Sequence, residues 1–216
     1  MNSRFDLLIF DWDGTLINTI DWITHCLQTA SERCGCEIPA AQAAKDVIGL
    51  SIQEATTKLH PSVDAKTHKQ LVQHYAREYS SKQLSRDDLF PDIYEMLVEL
   101  KQSGYTLAVA TGKTRRGLNA ALQATKTEDL FSITRCADEA RSKPDPTMLQ
   151  QIMQEMQCVP ERSLMVGDSI HDLQMAINAT MSSVAVYCGA NSKDILQNYQ
   201  PLLCLPYATE LLTYLR

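Results

Sequence analysis

The run Leu7-Leu8-Ile9-Phe10 is apolar at every position and passes directly into Asp11-Trp12-Asp13-Gly14-Thr15. It reads as a buried strand that delivers two carboxylates at its carboxyl end. On an extended backbone, residues two apart point to the same side, so Asp11 and Asp13 would face one small volume while Trp12 turns away. Like charges held that close need a cation between them, or a carboxyl kept partly protonated for acid/base work. A calcium loop is excluded: counted from Asp11, its fifth, sixth and twelfth places hold Thr15, Leu16 and Trp22. A plain Asp-Gly turn remains an alternative for the pentapeptide taken by itself.

The chain's 216 residues suit one α/β domain, or a core carrying an inserted module. There are 20 basic against 26 acidic residues, a net charge of −6, and no basic block, which argues against a nucleic-acid partner. Only Arg4 precedes the first apolar run, too little for a secretory leader, and nothing approaches the roughly 18 apolar residues of a membrane span. The expected location is cytoplasmic. Cysteines 26, 34, 36, 136, 158, 188 and 204 form an odd set without Cys-x-x-Cys spacing, and are expected to be reduced and mostly buried.

Residues 16–85 show helical periodicity, with helices expected at about 18–33, 40–48, 51–59 and 64–83. Seven basic and seven acidic residues balance there, so the net negative charge lies elsewhere. From residue 86 short apolar strands (107–110, 133–136, 164–166, 184–186 and 202–205) alternate with helices near 91–103, 114–124, 146–157, 170–179, 191–198 and 207–215. That alternation predicts an α/β fold, a doubly wound parallel sheet with helices on both faces. Ligands of such sheets sit outside the carboxyl ends of the strands. The residues there are Asp11 and Asp13, then Thr111-Gly112-Lys113, a little further on Lys143-Pro144, and Gly167-Asp168-Ser169-Ile170-His171-Asp172.

Each segment also has a structural reading. Thr111-Gly112-Lys113-Thr114 is no P-loop, because Leu107 occupies the place of the first glycine; Thr114 is expected to cap the next helix. Asp145 and Pro146 suit a helix start, which accounts for the neighbours of Lys143 but not for Lys143, a compact cation able to neutralise phosphate. Ser169 and Asp172 fit a capping box, leaving Asp168 as a hard oxygen donor of the kind Mg²⁺ selects. His171 reads as a surface residue without a role, and Lys58 and His60 as a solvated helix end.

In this order, Asp11-x-Asp13-Gly14-Thr15, Thr111-Gly112, Lys143-Pro144 and Gly167-Asp168-x-x-x-Asp172 resemble the four motifs of the haloacid dehalogenase superfamily. The resemblance spans the chain and is to the phosphatase branch with a helical cap, phosphoglycolate-phosphatase-like in its loops. It implies a Rossmann-like catalytic core of residues 1–15 and 86–216, and an inserted cap of residues 16–85. Asp11 would then be the nucleophile, forming an aspartyl-phosphate, and Asp13 the general acid/base. Thr111 and Lys143 would bind the transferring phosphoryl group. Mg²⁺ would be held by Asp11, the backbone carbonyl of Asp13 and Asp168, with Asp172 an additional or water-mediated ligand. Gly112 and Lys113, with Gly49 and Ser51 of the cap loop, would contact the substrate. A dehalogenase would lack Asp13. The implied activity is hydrolysis of a small phosphorylated metabolite (phosphoglycolate-like, nucleotide or sugar phosphate) by a monomer or homodimer. A mutase of the β-phosphoglucomutase type and a pyrophosphatase are the alternatives; relatives of the mutase carry an arginine in the cap loop, and residues 46–57 contain none.

Overall fold

The structure is a computed structural model that describes residues 4–215. Strand β1 (Leu7–Phe10) is fully buried along its length. It lies between β2 (Thr106–Thr111) and β4 (Ser163–Gly167), with β3 (Ile133–Cys136) outside β2, and β5 (Ser182–Val186) and β6 (Leu203–Leu205) outside β4. All pairs are parallel, in the order β3-β2-β1-β4-β5-β6. Phe10 lies opposite both Val109 and Val166, and the Asp11 N–H donates to Val166 O at 2.9 Å. The carboxyl ends of three central strands are thereby level.

The two-residue period of the strands sorts the core. Leu8, Phe10, Val109 and Val166 face one side and pack against α5 (Ile93–Gln102) and α6 (Arg115–Thr125). Leu7, Ile9, Ala108 and Met165 face the other, against α7 (Thr147–Glu155) and α8 (Ile170–Asn178). A strand covered on both faces by helices must be apolar throughout, and β1 is. Trp12, also fully buried, points into the first of these layers and meets Phe131 edge-on at 6.2 Å.

Between β1 and β2 the chain forms α1 (Ile20–Arg33), α2 (Ala41–Lys45), α3 (Ile52–Leu59) and α4 (Ala65–Tyr79), held by a separate apolar cluster around Ile23, Leu27, Val47 and Ile48. The segments leading out and back run side by side: Asn18 N–H donates to Asp88 O at 2.8 Å, and Phe90 N–H to Leu16 O at 3.0 Å. Two of these helices are shorter than their periodicity predicts. The stretch 40–48 is helical only to Lys45, because the chain turns toward Gly49, whose φ of +99° suits glycine. Helix α4 stops at Tyr79, where the Ser80 and Ser81 hydroxyls donate to Arg77 O and Glu78 O.

In the carboxyl-terminal part, α9 (Lys193–Gln197) begins two residues later than expected, since Asn191 is tied into a loop: its N–H donates to Asp168 O, and its Oδ1 accepts from Ile170 N–H at 2.9 Å. The last stretch is a short 3-10 turn followed by α10 (Leu211–Leu215). Pro146 occupies the cap position of α7 and the helix begins at Thr147, one residue later than expected, with the Thr147 N–H donating to Asp145 Oδ1 at 3.0 Å. All seven cysteines are free, but only Cys26 and Cys136 are fully buried, fewer than expected.

Candidate active site

Asp11, Asp168 and Asp172 converge at the carboxyl ends of β1 and β4, each buried and each offering one carboxylate oxygen within 4.8 Å of those of the other two. Lys143, fully buried on the loop between β3 and α7, places Nζ 2.7 Å from Asp11 Oδ1 and 2.6 Å from Asp172 Oδ1. Asp168 Oδ1 accepts from the Thr15 hydroxyl and Oδ2 from Ala190 N–H, both at 2.7 Å. Asp172 Oδ2 accepts from Ser169 N–H at 3.1 Å and its hydroxyl at 2.6 Å, completing the expected capping box at the start of α8. The packing leaves no slack: a Cβ on Gly14 (φ +80°) or on Gly189 would lie 2.2 or 2.0 Å from Asp168 Oδ2.

Burial, followed by repulsion from Asp172 and Asp168, pushes the Asp11 carboxyl well above the ordinary carboxylate range, against the pull of Lys143. Burial and the Asp172 charge push Asp168 up to about 7. For Lys143, burial favours the neutral amine, but Asp11 and Asp172 outweigh it and hold the group above the usual lysine value. One ammonium faces three carboxylates, leaving two negative charges uncompensated if all ionise (−3 + 1 = −2). Asp11 Oδ1, though close to Lys143 Nζ, accepts no hydrogen bond among the described residues. Hard oxygen donors, a residual charge of −2 and an unsatisfied buried oxygen fit a divalent cation.

Asp13 is directed elsewhere. Its carboxylate takes both oxygens to Lys113 Nζ, at 2.9 and 2.8 Å, and accepts from the Thr19 hydroxyl at 2.6 Å. Lys113 Nζ also donates to the Tyr79 hydroxyl, from the end of α4, at 2.6 Å. The Asp13 side chain thus stands outside the carboxylate trio. Thr111, buried at the end of β2, accepts from Lys113 N–H at 3.2 Å.

The helical insert lies directly over these strand ends. A Cβ on Gly112 would come within 2.6 Å of the Gly49 and Leu50 carbonyl oxygens. Ser51 N–H donates to Ser142 Oγ at 2.8 Å, and His171 Nε2–H to Asp46 O at 3.0 Å. Between insert and sheet runs a cavity of about 650 Å³ lined by Asp11, Asp13, Thr111, Gly112, Lys113 and Gly49, among others. Ser51 does not line it; its hydroxyl instead caps α3 by accepting from Glu54 N–H at 3.2 Å.

Folding therefore brings Asp11, Asp168, Asp172 and Lys143 into one cluster, and sets Asp13, Thr111, Gly112, Lys113 and Gly49 around the adjoining cavity. His171 is not a surface residue but buried and bonded to the insert, its pKa lowered by burial. His60 is likewise buried, its Nε2 2.8 Å from Ser31 Oγ, while Lys58 is exposed as expected. Thr15, the last residue of the first motif, bonds to Asp168, while no motif marked Thr19, Tyr79, Ser142 or the Gly189-Ala190-Asn191 loop. The last had a signal: it follows β5, another strand ending at the ligand-binding edge of the sheet.

Fold and cluster together define a protein of the α/β class with buried aspartates gathered at its strand ends. Residues 8–186 match the haloacid dehalogenase-like hydrolase family, and the chain belongs to it. Pyrophosphatase PpaX of Bacillus cereus strain G9842 is 30% identical over 223 residues, covering 98% of this chain and 97% of that protein. A hydrolase from Pseudomonas syringae superposes with a TM-score of 0.88 at 21% identity, covering 98% of this chain and 97% of the other. A predicted phosphoglycolate phosphatase from Haemophilus somnus gives 0.84 at 22% identity with both chains wholly covered. At such identities the two structures attest the fold alone. Among the described residues no helix is long and apolar enough to cross a membrane.

Proposed function

We propose that the chain is a Mg²⁺-dependent phosphomonoesterase acting through an aspartyl-phosphate on Asp11. The observation that carries this reading is the buried Asp11 carboxylate, with one oxygen short of a hydrogen bond, beside Lys143 and opening with Asp13 onto one cavity. Asp11 attacks phosphorus, the bond from phosphorus to the leaving oxygen breaks, and Asp13 delivers a proton to that oxygen. Water then attacks the same phosphorus and returns a proton to Asp13, releasing phosphate and restoring Asp11. Lys143 and the Thr111 hydroxyl bind the phosphoryl oxygens, where preorganised positive charge and donors oppose the repulsion between nucleophile and phosphate. Asp11, Asp168 and Asp172 are the side chains that would hold Mg²⁺, which supplies charge neutralisation for the transferring group.

In this reading residues 16–85 form a cap on a core of residues 1–15 and 86–216, and the paired segments around Asn18 and Asp88 are where it hinges. Seven unpaired cysteines suit a reducing cytoplasm. The substrate is a small phosphorylated metabolite, and the active unit a monomer or homodimer. The pyrophosphatase named among the relatives marks pyrophosphate as the second substrate to try. A mutase would return the phosphoryl group to its product instead of releasing phosphate. The deciding experiment follows phosphate release with and without Mg²⁺ for the wild type and Asp11→Asn. Metal-dependent release abolished by the substitution is expected; release that survives it would refute the nucleophile.

A further inference from the structure

The apolar core of the helical insert also forms part of the cavity wall. Ile23, Leu27, Val47 and Ile48 belong to the cluster that binds its helices together, and the same side chains line the cavity that reaches Asp11 and Asp13. Tyr75 and Tyr79 stand in that lining with rings stacked 5.8 Å apart at 26°. A flat apolar group entering the cavity would gain dispersion contacts with these walls. At about 650 Å³ the cavity falls among those that enclose a cofactor-sized ligand, whereas pyrophosphate or phosphoglycolate would occupy a small part of it.

The charges point the same way. Of the cations along the cavity, Lys113 is held by Asp13 and Lys82 by Asp88, each pair at 2.8 Å, while Arg77 and Arg116 are exposed. Residues 46–57, which cover the strand ends, supply no cation. Both lysines are thus already matched by carboxylates, which leaves the apolar and aromatic side chains as the larger unpartnered part of the lining.

We propose that the leaving alcohol carries a planar aromatic or heteroaromatic ring, making the substrate class phosphate esters of ring-bearing primary alcohols. The ring packs against the apolar cluster of the insert while the phosphoryl group meets Asp11. This rests on the phosphomonoesterase reading above.

The test measures kcat/KM by phosphate release from the full chain with Mg²⁺ on four compounds: benzyl phosphate, pyridoxal 5′-phosphate, glycerol 3-phosphate and pyrophosphate. The first three are esters of primary alcohols, so the reacting bond is matched and the leaving group alone differs. The two ring-bearing esters should exceed the other compounds by at least about tenfold, the scale on which a hydrophobic pocket discriminates. Glycerol 3-phosphate or pyrophosphate turned over as well as the ring-bearing esters would overturn the inference and leave the phosphatase reading standing. No release from any of the four would overturn that reading and this one with it. Ala55→Phe, which narrows the cavity, should lower the benzyl-to-glycerol ratio of kcat/KM about tenfold; in a variant whose melting shows it folded, an unmoved ratio counts against the ring.

Discussion

Asp11 and Asp13 are two residues apart, yet their surroundings diverge. Asp11 is enclosed with other acids around Lys143, while Asp13 is bonded by Lys113 and Thr19 at the edge of the cavity. That division matches a nucleophile and a separate proton carrier, so Asp13→Asn is expected to lower kcat by about 10²- to 10⁴-fold while the fold stays intact. Steady-state kinetics with a circular-dichroism melt would check it; an unaltered kcat removes Asp13 from the chemistry. Gly189→Ala acts through position, since its added methyl would meet the Asp168 carboxylate. A raised Mg²⁺ requirement is expected there, read as the metal concentration giving half-maximal rate; no change would mean the loop yields without moving Asp168. Asp11, Asp168 and Lys143 were legible as residue types at strand ends. Thr19 and Ala190 were not, because a hydroxyl or backbone amide has no signature until the fold brings it to a distant carboxylate.

Among the elements, β1 carries most of the molecule's order. Ile9 is fully buried against α7 and α8, so Ile9→Ala should destabilise by about 2–5 kcal/mol through lost burial and a residual void. Ile38, 52% exposed, should change stability by no more than about 0.5 kcal/mol when replaced by alanine. Urea unfolding of both variants tests the contrast, and equal effects would contradict the placement of β1 at the centre. The strands were readable in advance, most of them from a short apolar stretch; β3, with Thr134 and Arg135 at its centre, is the exception to that pattern. The helices were readable by existence but not by extent. Lys45 and Tyr79 end theirs through Gly49 and two serine hydroxyls, local devices that periodicity does not register, and α9 loses Asn191 to a loop bond. His60 and His171 were misjudged for a related reason: burial of a lone histidine depends on what folds over it.

Over the whole molecule, Asp11 and Asp168 couple stability to pH and metal. Burial raises Asp168 from 3.8 to about 7 and lifts Asp11 as well, so the folded state favours their protonated forms. For an acid whose folded pKa is raised, the associated stability is complete below about pH 4 and is lost as pH climbs through about 7. A divalent ion restores it by replacing those protons. Adding Mg²⁺ to chelator-treated protein should therefore raise Tm more at pH 7.5 than at pH 5. Equal shifts at both values, by scanning fluorimetry, would show the carboxylates to be ionised throughout. The parallel order of the sheet has a vectorial consequence. Leu7 pairs with Thr106 on one side and Ser163 on the other, so β1 is synthesised before either of its neighbours, and its second edge is covered only once β4 has been made. Asp11 is synthesised long before Lys143, Asp168 and Asp172, so a chain cut short of residue 172 lacks the complete cluster. The same delay leaves a wholly apolar strand edge unshielded through most of synthesis, a natural point of engagement for a chaperone.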